Sequence, residues 1–262
     1  MHYGDCRWIE IEALNADRVV VVCPLGSLEQ HGHHLPLLTD THLVSEVADR
    51  VERNLPEKVL LTPTLWLGAS DHHLDFSGTV SVANTLYVEM IKSLVTCFTR
   101  AGLRRILLLN GHGGNIAPTE VAITEAVNTT NVGDSAHIVL GSYWAVAGPE
   151  FAADKHGMET PAVSHACEYE TSMMQVVRGE LVHLDQAQVG KPVKDGPFYH
   201  SELGGRISVA ARFQHMSASG AMGRPQAATP EKGESLLSAA AAQVTALVTD
   251  MLSWPPPRVL KH

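Results

Sequence analysis

Runs of β-branched residues alternate with stretches of helical period along most of this chain. Arg18-Val19-Val20-Val21-Val22-Cys23-Pro24 is continuous and β-branched, the pattern of a strand covered on both faces. Leu43, Val44, Val47 and Val51 then recur at helical spacing behind Thr39 or Asp40 as cap. Val59-Leu60-Leu61-Thr62 reads as a second strand. Asn84 to Ala101 reads as a helix with Leu86, Met90, Ile91, Leu94, Val95 and Phe98 on one side, closed by Gly102. Arg105 to Asn110 predicts a third strand, running into a glycine-rich turn and a helix with Pro118 near its first turn. His137 to Ser142 predicts a fourth.

The pattern then weakens. Gly148 to Pro161 reads as loop and Glu168 to Val177 as a short helix. Leu184 to Met222, rich in Gly, Pro and His, is expected to be an excursion that covers a site or meets a second copy. Pro230 to Trp254 is a final helix, stopped by Pro255-Pro256-Pro257. This β-α-β-α alternation predicts a mostly parallel sheet with helices on both faces, and 262 residues suit one domain spanning 1–262.

Composition adds three constraints. A net charge of -9 without a Lys/Arg cluster argues against nucleic acid or an anionic membrane as partner and leaves a small-molecule substrate. Four cysteines without CxxC spacing, behind an opening Met-His-Tyr-Gly-Asp that lacks a basic and an apolar region, predict a reduced, cytoplasmic protein. No membrane span is expected, because the most apolar stretch, in the last helix, is Ala-rich and interrupted by Gln and Thr. Fifteen His against five Tyr and five Phe point to imidazole chemistry.

That chemistry concentrates between Gly26 and Asp40. Glu29 and His31 share a side of an extended segment, and Asp40 at the following helix start can return to them. The mixed oxygen and nitrogen set suits Zn, Mn or Fe. His33 and His34 read equally as supporting donors or packed histidines. His112, in Asn110-Gly111-His112-Gly113-Gly114-Asn115, lies at the same end of another parallel strand, where open α/β sheets bind ligands. A phosphate loop is the weaker reading of that turn, because the Walker lysine and the GxGxxG spacing are missing. Ser164 to Ser172 adds His165, Glu168 and Glu170, which capping alone could explain, and Cys167, a nucleophile or buried packing. The loop bearing Ser70, His72 and His73 is expected to contact substrate or support the site, and Trp144 to wall a pocket or fill core.

These segments resemble the creatininase (creatinine amidohydrolase) family. The resemblance runs through Gly26 to Asp40, Phe76-Ser77-Gly78-Thr79, Asn110 to Asn115, Ser142-Tyr143-Trp144, His165 with Glu170-Thr171-Ser172, and Ala228 to Gly233, in order along nearly the whole chain. It implies a three-layer α/β/α sandwich, a homo-oligomer, usually a hexamer, and two divalent metal ions per chain. Glu29 and His112 would bind one ion, His31 the second, and Asp40 both, with His165 as the proton-transferring histidine. Two departures matter. Creatininase carries Tyr-Glu after the motif histidine, the Glu holding the second metal, where this chain has Gly113 and Gly114. Glu170 is the candidate replacement and Glu168 the runner-up. Creatininase also places a tryptophan just ahead of its catalytic histidine, where this chain has Pro161 and Ala162, so creatinine is not the expected substrate.

The resulting expectation is metal-dependent hydrolysis of a non-peptide C–N amide bond, in a cyclic amide or a formamide. A peptidase of the mycofactocin-maturation type is the alternative within the family. A metal-stabilised binding protein without activity is the alternative outside enzymology.

Overall fold

Val20 and Val22 face one side of the first strand and Val19, Val21 and Cys23 the other, and each set is buried against a different layer of helices. The computed structural model describes residues 1–129, 132–189, 196–200 and 204–257. In it α1 (Trp8–Glu12) leads to β1 (Val20–Leu25), α2 (Thr39–Asn54), β2 (Val59–Leu61), α3 (Asn84–Arg100) and β3 (Arg105–Asn110). The chain continues through α4 (Ile116–Thr129), β4 (His137–Ser142), α5 (Tyr143–Ala147), α6 (Ala153–His156), α7 (Glu168–Arg178), β5 (Tyr199–His200), β6 (Gly204–Gly205) and α8 (Pro230–Ser253).

β1 to β4 form an all-parallel sheet in the order β2-β1-β3-β4. Helices α2, α5, α7 and α8 cover the face carrying Val20, Val22, Leu107 and Leu109. Helices α3 and α4 cover the face carrying Val21, Cys23, Ile106 and Leu108. Each fully buried aliphatic side chain contributes roughly 1.5–3 kcal/mol, and a one-residue slip would exchange the two sets. The fold is thus the expected α/β sandwich.

β1 has β2 on one side and β3 on the other, the chain crossing over from β2 to β3, so the strand order reverses between β1 and β3. In open α/β sheets that reversal opens a crevice at the carboxyl ends of the two strands. Leu25 and Asn110, the last residues of β1 and β3, pair across it.

Some local expectations change. The stretch expected as loop contains α6, and α1 and α5 are short helices the periodicity does not announce. Within 184–222 the described residues form the antiparallel pair β5 and β6 and then return Phe213 to the crevice. Residues 190–195 and 201–203 of that excursion lie outside the described residues. Helix α8 starts as expected, with Thr229 Oγ1 accepting the Lys232 N–H at 3.3 Å. Length and composition would let it cross a membrane. It instead buries Leu236, Leu237, Ala240, Val244, Val248 and Met251 against α2, α5 and α7, as a core helix does. All four cysteines are free thiols.

Candidate metal centre

The loops leaving β1 and β3 are held together from below. Gly26 follows β1 where α2 passes so near that a Cβ would stand 2.7 Å from the Thr41 Cα. Asn115 Oδ1 accepts the Ala69 N–H at 3.0 Å and its Nδ2 donates to the Gly26 carbonyl at 3.0 Å. Asn110 Nδ2 donates to the His112 carbonyl at 2.7 Å and its Oδ1 accepts the His112 N–H at 3.1 Å. Asn115 staples loops together and Asn110 braces its own turn, which leaves the phosphate reading without a role for them.

On this platform Glu29, His31, Asp40, His112 and Glu170 converge. The carboxylates of Glu29, Asp40 and Glu170 are only 0%, 3% and 7% exposed. Asp40 sits in the middle, with Oδ1 3.1 Å from His31 Nε2 and Oδ2 3.0 Å from His112 Nδ1. Ser27 Oγ donates to Oδ2 at 2.6 Å and fixes its direction. Glu170 Oε1 stands 3.9 Å from His31 Nε2, and Glu29 Oε2 3.3 Å from His112 Nε2. His31 Nδ1 lies 3.2 Å from the Glu29 carbonyl and donates to it, so Nε2 is the nitrogen presented to the carboxylates.

The donor set fits divalent cations. Both carboxylate oxygens of Glu29 and Oε2 of Glu170 are buried without a hydrogen-bond partner, an expensive condition unless a cation completes it. His31, Asp40 and Glu170 place ligand atoms within 4.8 Å of one another, as do Glu29, His72 and His112, and Glu29, His31 and His165. Such mixed carboxylate and imidazole sets suit Zn, Mn or Fe.

Protonation in the bare protein points the same way. Burial opposes charge on His31, but Asp40, Glu170 and Glu29 reverse it and raise the imidazole to about 9. Burial also opposes charge on His112, and Glu29 and Asp40 hold it well above the ordinary value. Glu170 is pushed up to about 8, chiefly by burial. Protons therefore occupy the places a cation would take.

Glu168 turns away. Its Oε2 accepts the Glu159 and Thr160 N–H groups at 2.8 and 2.7 Å, and its Oε1 meets Lys232 Nζ at 2.6 Å. Of the two glutamates weighed for the vacancy at Gly114, the structure brings Glu170 to the centre. Cys167 is fully buried in the core, and burial pushes its thiol to about 12, so packing is its role and nucleophilic attack is not.

His165 approaches from the far side. Its Nε2–H donates to the Gln30 carbonyl at 2.7 Å, which leaves Nδ1 facing Glu29 Oε1 at 3.5 Å. Burial, aided by the charge on His31, lowers its pKa to about 3, so the ring is neutral. Ala166, next in the chain, has a φ of 49°, the left-handed conformation that non-glycine residues seldom adopt outside constrained sites. Gln30 Nε2 donates to His73 Nδ1 at 2.8 Å, leaving His73 Nε2 3.4 Å from Glu29 Oε1. The residue between the two motif ligands thus orients two further histidines, a role its sequence position does not reveal.

A cavity of about 240 Å³ opens over these groups, walled by Trp144 on α5 and by Phe213. Phe213 stacks on His73 with ring centroids 4.4 Å apart, and nothing in its aperiodic segment marks it beforehand. His72 and His73 line the cavity. Ser70 is fully buried behind it, with Oγ 3.3 Å from His112 Nε2, a support for that ring. His34 is buried against Thr171 Oγ1 at 2.9 Å, while exposed His33 meets Gln188.

Comparison with known proteins agrees with the fold. The family profile described as creatininase, creatinine amidohydrolase, matches residues 4–248. The mycofactocin precursor peptide peptidase of Mycobacterium tuberculosis is 39% identical over 118 residues, 41% of this chain and 44% of the peptidase, so less than half of that relative is spanned. The 3-dehydro-scyllo-inosose hydrolase of Thermotoga maritima is 27% identical over 89% of this chain and 78% of its own. A solved creatininase in a manganese form superposes with a TM-score of 0.82 at 25% identity, covering 96% of this chain and 98% of the other. A mutant creatininase of Zn-Zn type gives the same values.

Proposed function

Because the chain belongs to the creatininase family, we propose that it is a hydrolase dependent on divalent metal ions that cleaves a C–N amide bond in a small non-peptide molecule, a cyclic amide or a formamide. One observation carries the reading: buried, unpartnered oxygens of Glu29 and Glu170 flank Asp40 and two imidazoles beneath an open cavity. Two ions per chain, Zn, Mn or Fe, fit the arrangement. Glu29 and His112 would hold one, His31 and Glu170 the other, and Asp40, which faces both imidazoles, would serve both. Bound divalent ions supply polarisation of a carbonyl oxygen and activation of water near neutral pH.

The chain's own groups do the rest. His165, neutral and fixed through Nε2, receives a proton at Nδ1 and returns it to the departing nitrogen. Gln30 keeps that ring and His73 in their tautomers. Trp144 and Phe213 flank the substrate and limit water around it. The same reading makes the protein cytoplasmic, in keeping with four unpaired thiols, and a homo-oligomer, a hexamer, which light scattering would check.

A second reading, a peptidase, is favoured by the local identity to the mycofactocin peptidase. A panel of cyclic amides, formamides and short peptides, assayed with metal-loaded and chelated protein, separates the two. Turnover independent of metal would overturn both. Uptake of one ion or none, with thermal stability unchanged by chelation, would favour a binding protein instead.

A further inference from the structure

His72 stands apart from the other histidines of the centre. It lies on the short turn Asp71–His73, which Ser81 holds by accepting the Ser70 N–H at 2.7 Å and donating to Asp71 Oδ1 at 2.6 Å. Among the described residues its ring has no hydrogen-bond partner, whereas His73 beside it is engaged by Gln30 and Phe213. The His72 ring lies nearly parallel to that of His112, with an interplanar angle of 13° and centroids 5.7 Å apart. Its ligand atom falls within 4.8 Å of those of both His112 and Glu29, whose two carboxylate oxygens are buried and unpartnered.

Position 114 explains how the ring fits there. A Cβ on Gly114 would collide with the Ala69 carbonyl oxygen and His112 Nε2 and would stand 2.8 Å from His72 Cε1. No side chain fits at 114 while the Ala69 carbonyl and the His112 and His72 rings keep their places. The His72 ring is one of three groups packed against the bare Gly114.

We propose that His72 is a metal ligand, joining Glu29, His112 and the near oxygen of Asp40 around one ion, in the space beside Gly114. This rests on the metal-dependent reading given above. With the shared Asp40 counted on both sides, this set has two imidazoles and two carboxylates. The neighbouring set, His31, Asp40 and Glu170, has one imidazole and two carboxylates and is the harder of the two. The centre is therefore chemically unequal, and His72 accounts for the difference.

The test uses the full chain, stripped with a chelator and reloaded with Co(II), which reports ligand number and type in its visible absorption. Wild-type protein is expected to take up two ions. His72→Ala is expected to keep one at wild-type affinity and to hold the other at least about 100-fold more weakly in chelator competition. Its visible spectrum should change, and free imidazole should restore both spectrum and affinity. His72 is partly exposed, so the variant should fold, and matching melting curves of the two chelated proteins verify that. Two ions at unchanged affinity and spectrum in His72→Ala would overturn the assignment, even with a raised KM, since His72 would then contact substrate only. Weakened binding that imidazole does not restore would overturn it as a packing effect. A wild-type chain that binds no ion would overturn the metal-dependent reading along with it.

Discussion

His31 Nε2 faces Asp40 Oδ1 at 3.1 Å in a space closed to solvent, and in the bare protein a proton occupies the contact. A cation must displace that proton. With His31 raised to about 9 from an ordinary 6.5, apparent metal affinity should climb as pH rises from 6.5 to 9 and then level off. Calorimetric titration in buffers of different ionisation enthalpy should show proton release below pH 9. Proton-independent uptake at pH 7 would contradict the assignment.

Stability of the chelated protein should follow the same groups. Between pH 4.5 and 8 for Glu170, and 6.5 and 9 for His31, the folded chain holds a proton that the unfolded chain has lost. Stability from these groups therefore falls as pH rises through those windows. His34 and His165, lowered to about 4 and 3 by burial, act oppositely and cost stability as pH falls below 6.5. Melting temperatures of chelated protein should peak near pH 6, while metal-loaded protein should keep its stability on the alkaline side.

Asp40→Ala removes the group between His31 and His112. Without it neither ion would keep its shared carboxylate, so turnover should fall by several orders of magnitude, unrecovered by added metal. Steady-state kinetics with metal analysis checks this, and near-normal turnover would refute the placement.

His165→Gln should behave differently. Loss of a positioned proton carrier should lower kcat by roughly 10²–10⁴-fold and leave the metal content of the purified protein near wild type. Depletion of metal in this variant would mean that His165 is a ligand.

Glu168→Ala tests the division of labour on α7. It strands Lys232 and two N–H groups, so chemical denaturation should show a loss of about 3 kcal/mol. The folded fraction should still bind metal. Glu170→Ala should do the reverse, with impaired loading and a milder loss of stability.

The sheet and its long helices are readable in the chain because each β-branched run is buried on both faces and each helical stripe meets one layer. The convergence of Glu29 and His31 follows from alternation, and that of His112 from strand ends pointing one way. Glu168 and Glu170 are harder, since two positions on a helix lie about 200° apart and only the packing of α7 on α8 decides which points inward. Gln30 and Phe213 are invisible for another reason. One acts through an amide between two motif residues, the other closes a segment without period, and neither has a pattern until the chain is folded.

In the bare protein the three carboxylates drawn from the β1 loop, from α2 and from α7 are offset by the charged rings of His31 and His112 and by the raised affinity of Glu170 for a proton. The sheet beneath is secured by its own apolar contacts and does not need that help. On the metal-dependent reading, folding and arming would be separable steps for this chain: a newly made molecule could complete its scaffold in ion-poor surroundings before its catalytic face is finished. On that reading, the supply of divalent cations would then set how many of the folded copies are able to work.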